Sequence, residues 1–230
     1  IHRGHVFSST HASDEEATDA YRKVAPKAGN PRIVRFRSGR YRRSWIGNVA
    51  GVGNAAGFVE PLEATALMVI CLQCRWLADG LIDSLLQPNP SLARLYNTLS
   101  GSVWSQIRDF LALHYKFNAK PDTPFWHRCR EEIPLHGVAD LVEFYQENGP
   151  SAINAGNLPQ GNPFGIEGYL AILTGLKVPH RKTHRPSEIE IRRWESYRER
   201  HRRIAQGGIG MREVLRQLSS PAVWQKLRQR

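Results

Sequence analysis

Val49-Ala50-Gly51-Val52-Gly53-Asn54-Ala55-Ala56-Gly57-Phe58-Val59-Glu60-Pro61-Leu62-Glu63-Ala64-Thr65-Ala66 is the stretch on which the reading of this chain turns. It reads as a small-residue strand, a Gly/Ala loop and the opening of a helix. Gly51-x-Gly53-x-x-Ala56 matches the Gly/Ala variant of the dinucleotide fingerprint, but no strand–helix–strand unit follows. No acidic residue closes a second strand about 20 positions on, so that label fails. What remains is mechanical. Free backbone N–H groups at a helix start suit an anion or an electron-rich ring edge, and small side chains let a flat cofactor lie against the backbone. Leu62–Leu72 is apolar except at Glu63 and Thr65, which predicts a buried helix with Pro61 at its first position. Glu63 is then either a desolvated carboxylate with a raised pKa or a first-turn acid complementing the helix dipole.

Upstream, the pattern is mixed α/β. His5–Ser9 is short and β-prone, and Ser13-Asp14-Glu15-Glu16 offers an N-cap and early acids for a helix running to Val24. Arg32–Arg37, a turn at Ser38-Gly39 and Arg40–Trp45 predict a hairpin, with Ile46–Val52 as a third strand. Downstream, the chain is helical almost throughout. Ser91–Tyr115 carries Leu92, Leu95, Tyr96, Leu99, Val103, Ile107, Phe110, Leu111 and His114 on a helical period. Further helices are expected around 124–131, 137–147, 165–175, 187–205 and 210–218, with a long loop over Asn148–Asn162.

The 230 residues, 41% of them hydrophobic, suffice for one large domain or two small ones. The longest apolar run, Ala66–Leu72, is too short for a membrane span of about 20 residues. Three cysteines fit a reduced, cytoplasmic setting rather than a disulfide scaffold. A start at Ile1 without a signal pattern reads as part of something longer. The net charge of +11 is uneven: 10 Lys/Arg against 4 Asp/Glu over 1–43, 8 against 12 over 44–179, and 14 against 5 over 180–230. A basic tail permits nucleic-acid binding, although Glu188, Glu190, Glu195 and Glu199 at helical spacing favour a solvated face. The arginines at 32, 35, 37, 40, 42 and 43, interleaved with Phe36, Tyr41 and Trp45, could track a phosphate backbone. The simpler account has them solvated and paired with acids elsewhere.

Metal and hydrolase chemistry find little support. Cys71-Leu72-Gln73-Cys74 has CxxC spacing but only His127-Arg128-Cys129 as a distant companion, and it falls in the expected buried helix, where cysteine packs as a small apolar group. His180 and His184 stand four apart but between Pro179 and Pro186. No metal is expected. Serine-hydrolase, P-loop and kinase signatures are absent from the sequence.

Gly57-Phe58-Val59-Glu60-Pro61-Leu62-Glu63-Ala64-Thr65, preceded by Phe36-Arg37-Ser38-Gly39-Arg40 and Trp45-Ile46-Gly47-Asn48, resembles the flavin-dependent halogenases of the tryptophan halogenase family. Gly4-His5-Val6-Phe7-Ser8-Ser9 and Ser13-Asp14-Glu15-Glu16-Ala17 are similar to that family as well. The resemblance implies an α/β fold, α+β at the level of this chain: the end of a hydroxybenzoate-hydroxylase-like flavin-binding module (1–60), then a mainly helical substrate-side domain (61–230). The Rossmann fingerprint, an active-site lysine and the W-x-W-x-I-P motif would lie upstream.

The resemblance also implies a chemistry. Reduced FAD from a separate flavin reductase reacts with oxygen, and halide captures the oxidising equivalent as hypohalous acid, which chlorinates or brominates an electron-rich ring. Glu63 would orient the oxidant or accept the ring proton, and the N–H groups of Thr65 and Ala66 would hold the halide. Gly53, Asn54, Ala55, Gly57, Phe58 and Pro61 would line the FAD. Ala64 stands where the family commonly has serine, and Ala66 where it has glycine. The substrate is then tryptophan, another indole, a phenol or a peptide-borne ring; a homodimer is left open, and neither a membrane nor nucleic acid is an expected partner. The alternative from another class is a basic helical nucleic-acid-binding module.

Overall fold

The computed structural model describes residues 3–182, 185–221 and 224. It divides into two compact units, residues 1–182 and 183–230.

In the first unit the helices form where the sequence pattern places them. α1 (Asp14–Val24) starts in a reciprocal cap: the Ser13 hydroxyl oxygen accepts from the Glu16 N–H, and the Glu16 carboxylate accepts from the Ser13 N–H. Those hydrogen bonds to Ser13 hold the Glu16 carboxyl below its usual pKa. α2 (Thr65–Asp83) and α3 (Pro90–Lys116) lie side by side. α3 begins at Pro90, with the Asn89 side chain accepting from the Leu92 N–H. α4 (Pro124–Glu132), α5 (Ala139–Asn148) and α6 (Gly165–Gly175) follow. The Asn148–Asn162 segment is not wholly irregular, because Ala152–Asn157 forms a 3-10 helix whose buried Asn154 donates to the Leu141 carbonyl at 2.9 Å.

α3 serves two cores. One of its faces packs Val103, Trp104, Ile107 and Leu111 against Val69 of α2. The other packs Phe110 and Leu113 against Val138, Leu141, Val142 and Tyr145 around α5 and Ile166, Tyr169 and Leu173 of α6. Burial pushes the Tyr169 phenol up to about 12.

The strands are shorter than the alternation suggested and lie partly elsewhere. β1 (Gly39–Arg40) pairs antiparallel with β4 (Gly57–Phe58), and β2 (Trp45–Ile46) with β3 (Val49–Ala50) around Gly47-Asn48. Gly47 has φ 58°, which favours glycine. The expected hairpin of Arg32–Arg37 with Arg40–Trp45 does not form, and His5–Ser9 is not a strand. Residues 31–38 have no regular structure, and among them Arg35 pairs with Asp14 at 2.6 Å. An exposed segment without a partner strand has nothing to pair its backbone with, so alternation alone did not make it a strand.

α2 is the larger correction. Only Thr65, Val69 and Gln73 are buried, whereas Leu67 is 67% exposed and Cys71 and Cys74 lie at the surface. The expectation of a buried helix with inward cysteines is therefore wrong for this chain. Leu62–Asp83 is 22 residues long and contains an 18-residue window of mean hydropathy 1.4, long and apolar enough to cross a membrane by length and composition. The Ala66–Leu72 run had not suggested that. Arg75 and Asp79, 3.5 Å apart, interrupt it.

In the second unit, α7 (Glu188–Gln206) and α8 (Met211–Leu218) have no buried residues. Arg202 and Arg203 both pair with Glu199, at 2.7 and 3.3 Å, and Arg192 with Glu188 at 3.9 Å, as a solvated, charge-laced helix would. His184 of the sequence-level histidine pair lies outside the described residues, and His180 packs edge-on against Tyr145.

Candidate functional site

The decisive stretch forms a strap across α2 and α3. Gly53–Ala55 is a 3-10 turn, β4 follows, and Leu62–Ala64 is a second 3-10 turn leading into α2. A Cβ at Gly53 would come within 2.4 Å of Ile70 Cγ1, and one at Gly57 within 2.8 Å of Arg40 Cβ and 3.0 Å of the Trp104 ring. Glycine at both positions lets the strap lie directly on the helices.

Buried and half-buried polar side chains pin the strap. Gln73 accepts from the Gly53 N–H at 2.6 Å and donates to Ser100 Oγ at 2.6 Å, and Ser100 Oγ lies 2.8 Å from Ser44 Oγ. Asn97 Oδ1 accepts from the backbone N–H groups of Ser44 and Trp45 at 2.6 and 2.7 Å. The Tyr96 hydroxyl donates to the Gly51 carbonyl at 2.8 Å. Gln73, Asn97 and Tyr96 each satisfy a loop backbone group that would otherwise be costly to bury, while Ser100 links the side chains of Gln73 and Ser44. The sequence analysis placed Tyr96 on the apolar stripe and gave none of the four side chains this hydrogen-bonding role. The available signal was a polar residue recurring on the inward face of apolar helices: Gln73 in α2, Asn97 and Ser100 in α3.

The strap ends in a strained turn. Glu63 (φ 63°) and Ala64 (φ 50°) both occupy the left-handed region, at about 1–3 kcal/mol each for non-glycine residues. Glu63 thus stands in the turn before α2 rather than in its first helical turn, and Pro61 precedes the 3-10 turn instead of opening α2. The Glu63 side chain is 47% exposed, so the dry setting expected from the sequence is not present. Ala64 caps α2 without a side-chain hydrogen bond, leaving first-turn amides for another acceptor.

Two acids of this turn face two consecutive residues of α3. The Tyr115 hydroxyl donates to Glu60 Oε2; burial first, and that bond second, push the phenol far above its usual range. Glu60 Oε1 is buried and has no hydrogen-bond partner. Glu63 Oε1 lies 3.6 Å from His114 Nε2. His114 Nδ1 lies 3.1 Å from the Phe110 carbonyl, while its Nε2 is buried without a partner. Phe110 stacks on Phe164 at 3.8 Å, and Tyr115 on Trp126 at 5.5 Å, so aromatic rings surround this end of the turn. Sequence reading had counted His114 as one position of an apolar stripe and had not singled out Glu60, Tyr115 or Trp126.

The other predicted residues spread along the strap. Gly53 and Gly57 are buried; Asn54, Ala55 and Pro61 are exposed; Phe58 is half-buried against Phe36; Thr65 is buried and Ala66 half-buried. Asn54 and Ala55 present backbone and short side chains, and residues 53–59 carry no charge. That composition fits one edge of a flat, partly apolar ring system such as a flavin. A shallow basic groove of about 450 Å³, lined by Arg40, Arg42 and Asn97 among others, does not include Glu63. No cluster of three or more metal-ligating side chains occurs among the described residues.

Comparison with known proteins gives a consistent result. A family model described as tryptophan halogenase matches residues 1–189. Tryptophan 7-halogenase RebH of Lentzea aerocolonigenes is 29% identical over 93% of this chain and 44% of its own length. Tryptophan 6-halogenase ThaL of Streptomyces albogriseolus is 34% identical over 70% of this chain and 30% of its own. Among solved structures, MibH, a lathipeptide tryptophan 5-halogenase, superposes with a TM-score of 0.78 at 31% identity over 96% of this chain and 43% of that one. Tar14, a tryptophan C-6 flavin-dependent halogenase, gives 0.72 at 26% identity over 87% of this chain and 41% of that one. The chain therefore spans less than half the length of these relatives.

Proposed function

The chain belongs to the tryptophan halogenase family, and from that premise we propose that it is the C-terminal part of a flavin-dependent halogenase that chlorinates or brominates an electron-rich aromatic ring. The observation that carries this reading is the strained turn Pro61–Ala64 with Glu63 beside His114, at the end of a strap whose close approach requires glycine at positions 53 and 57. Flavin dependence and tryptophan chemistry are printed for relatives such as Tar14, and a peptide setting for MibH, so tryptophan, another indole or a peptide-borne indole are the substrates to test first.

In this reading residues 1–60 complete a flavin-binding module and 61–230 form the substrate side. Gly53, Asn54, Ala55, Gly57, Phe58 and Pro61 would hold one edge of the FAD. When bound, reduced FAD, replenished by a separate flavin reductase, supplies with oxygen and halide the halogenating oxidant. Thr65 and Ala66, at the positive end of α2, would hold the halide through backbone N–H groups. Glu63 would accept the proton that leaves the ring once the halogen has bonded to it. Trp126, Tyr115 and Phe110 would exclude water around this end of the turn. Three free cysteines suit the cytoplasmic setting proposed for the enzyme. A nucleic-acid role has no support from the relatives, and the paired acids of α7 favour a solvated face.

The test is direct. The full-length protein is incubated with a flavin reductase, NADH, FAD, oxygen and either chloride or bromide, together with tryptophan, indole, a phenol or a tryptophan-containing peptide. Mass spectrometry should find a product carrying one halogen. No halogenated product from any member of the panel would reject the proposal.

A further inference from the structure

We infer that His114 is a positioning residue that relieves Glu63 of the ring proton, so that the two side chains work as a pair sharing one proton. The inference rests on the reading of Glu63 as proton acceptor and goes one residue beyond it.

The argument begins with the tautomer. His114 Nδ1 is 3.1 Å from the Phe110 carbonyl oxygen. A carbonyl only accepts, so a hydrogen bond there puts a proton on Nδ1. In the neutral ring Nε2 is then an unprotonated acceptor. That atom is buried without a hydrogen-bond partner and lies 3.6 Å from Glu63 Oε1. An ionised Glu63 carboxylate is acceptor-only as well, so carboxylate and neutral imidazole face each other with two lone pairs and no proton between them. One added proton turns this mismatch into a hydrogen bond, whether it sits on Glu63 or on Nε2. The present separation exceeds a hydrogen bond, as is common before a reaction complex forms.

The ring proton is that added proton. As the C–H bond at the halogenated carbon breaks, its electron pair returns to the ring and the proton bonds to a Glu63 oxygen. Transfer to His114 Nε2 regenerates the carboxylate and leaves an imidazolium, whose Nδ1–H still donates to Phe110. The proton then leaves to water through the half-exposed Glu63 side. No further oxidant or reductant is needed. Phe110 fixes the ring from below, since it is packed edge-on against His114 at 5.1 Å and stacked on Phe164. The left-handed backbone at Glu63 aims the carboxylate at α3.

The experiment uses the full-length protein with ring-protonated and ring-deuterated substrate. His114→Gln keeps a polar group but cannot carry the proton. His114→Asn retains an Nδ-type donor toward Phe110 and serves where the glutamine variant does not fold. His114→Ala is assayed with and without added imidazole. We expect kcat for halogenation to fall by about tenfold, less than the direct loss of a general base, with KM within twofold. The primary isotope effect should rise because ring deprotonation becomes slower, and imidazole should restore part of the activity of His114→Ala. Normal kcat in the histidine variants overturns the inference. So does a loss with neither a larger isotope effect nor imidazole rescue, which marks a purely structural role. Glu63→Gln separates the two levels: if it abolishes halogenation while the histidine variants remain normal, the relay fails and the function stands. If Glu63→Gln is also normal, both fail.

Discussion

α2 and α3 lie side by side and invert the usual relation between apolarity and burial. α2 is the more apolar helix, yet only three of its 19 residues are buried, whereas α3 mixes polar and apolar positions and buries ten of 27. α3 is amphipathic on two sides, so each stripe finds a core of its own. α2 uses one narrow stripe, Val69 with Gln73, and leaves Leu67, Ile70, Cys71 and Cys74 outside. Hydrophobicity summed along a helix says how much could be buried; periodicity says which residues are buried here. The two helices also divide the proposed chemistry, since Glu63 precedes α2 and His114 ends α3.

The sharpest test of that difference is a pair of truncations. Ile107→Ala, at a fully buried position of α3, should lower the stability of the 230-residue chain by about 2–5 kcal/mol. Leu67→Ser in α2 should change it by less than about 0.5 kcal/mol. Urea titrations followed by circular dichroism would show both, and equal losses would erase the contrast.

Next in size is the polar pin. Gln73→Leu removes the acceptor of the buried Gly53 N–H and the donor to Ser100, and should cost about 1–3 kcal/mol. Fast amide exchange at Gly53 in the variant would accompany it. A leucine variant as stable as wild type would mean that the apolar part of α2 alone holds the strap.

A pH effect follows from α6, on the core that α3 shares. Tyr169 has its folded pKa raised from 10.0 to about 12, chiefly by burial. Between those values the unfolded chain has lost the phenolic proton and the folded chain has kept it, so stability falls as pH rises from 10 toward 12. Tyr115, shifted the same way, adds to the slope. Tyr169→Phe should shallow this decline, as measured by thermal unfolding across that range; an unaltered slope would show that its phenol is not the group responsible.

Much of this was legible beforehand. All eight described helices were expected, α1 from its Ser13 cap with Glu16 and α3 from its apolar period, whereas the caps at Asn89 and Ser187 emerged only in the structure. The strands at 32–37 were misread because arginine-rich alternation satisfies a period-two pattern without a partner edge. The environment of α2 was misread because an all-apolar helix is buried only where other elements cover it, and within this chain they cover one stripe. At the site, the motif around Glu63 was visible as a string. Its partner His114 was not, because one histidine 51 positions away on an apolar stripe carries no local signal, and only the packing of α3 beneath the turn brings it to Glu63. Strain at Glu63 and Ala64 was likewise invisible, since neither is a residue that sequence rules place in the left-handed region.

The central claim is that the turn before α2 carries the proton acceptor of an aromatic halogenation. Glu63→Gln in the full-length protein tests it most directly, with halogenated product and released peroxide measured in the same reaction. Product formation should fall by roughly 10²-fold or more, the scale for losing a general base, while oxygen consumption and peroxide release continue. Unchanged halogenation would remove Glu63 from the chemistry and leave the turn a structural feature.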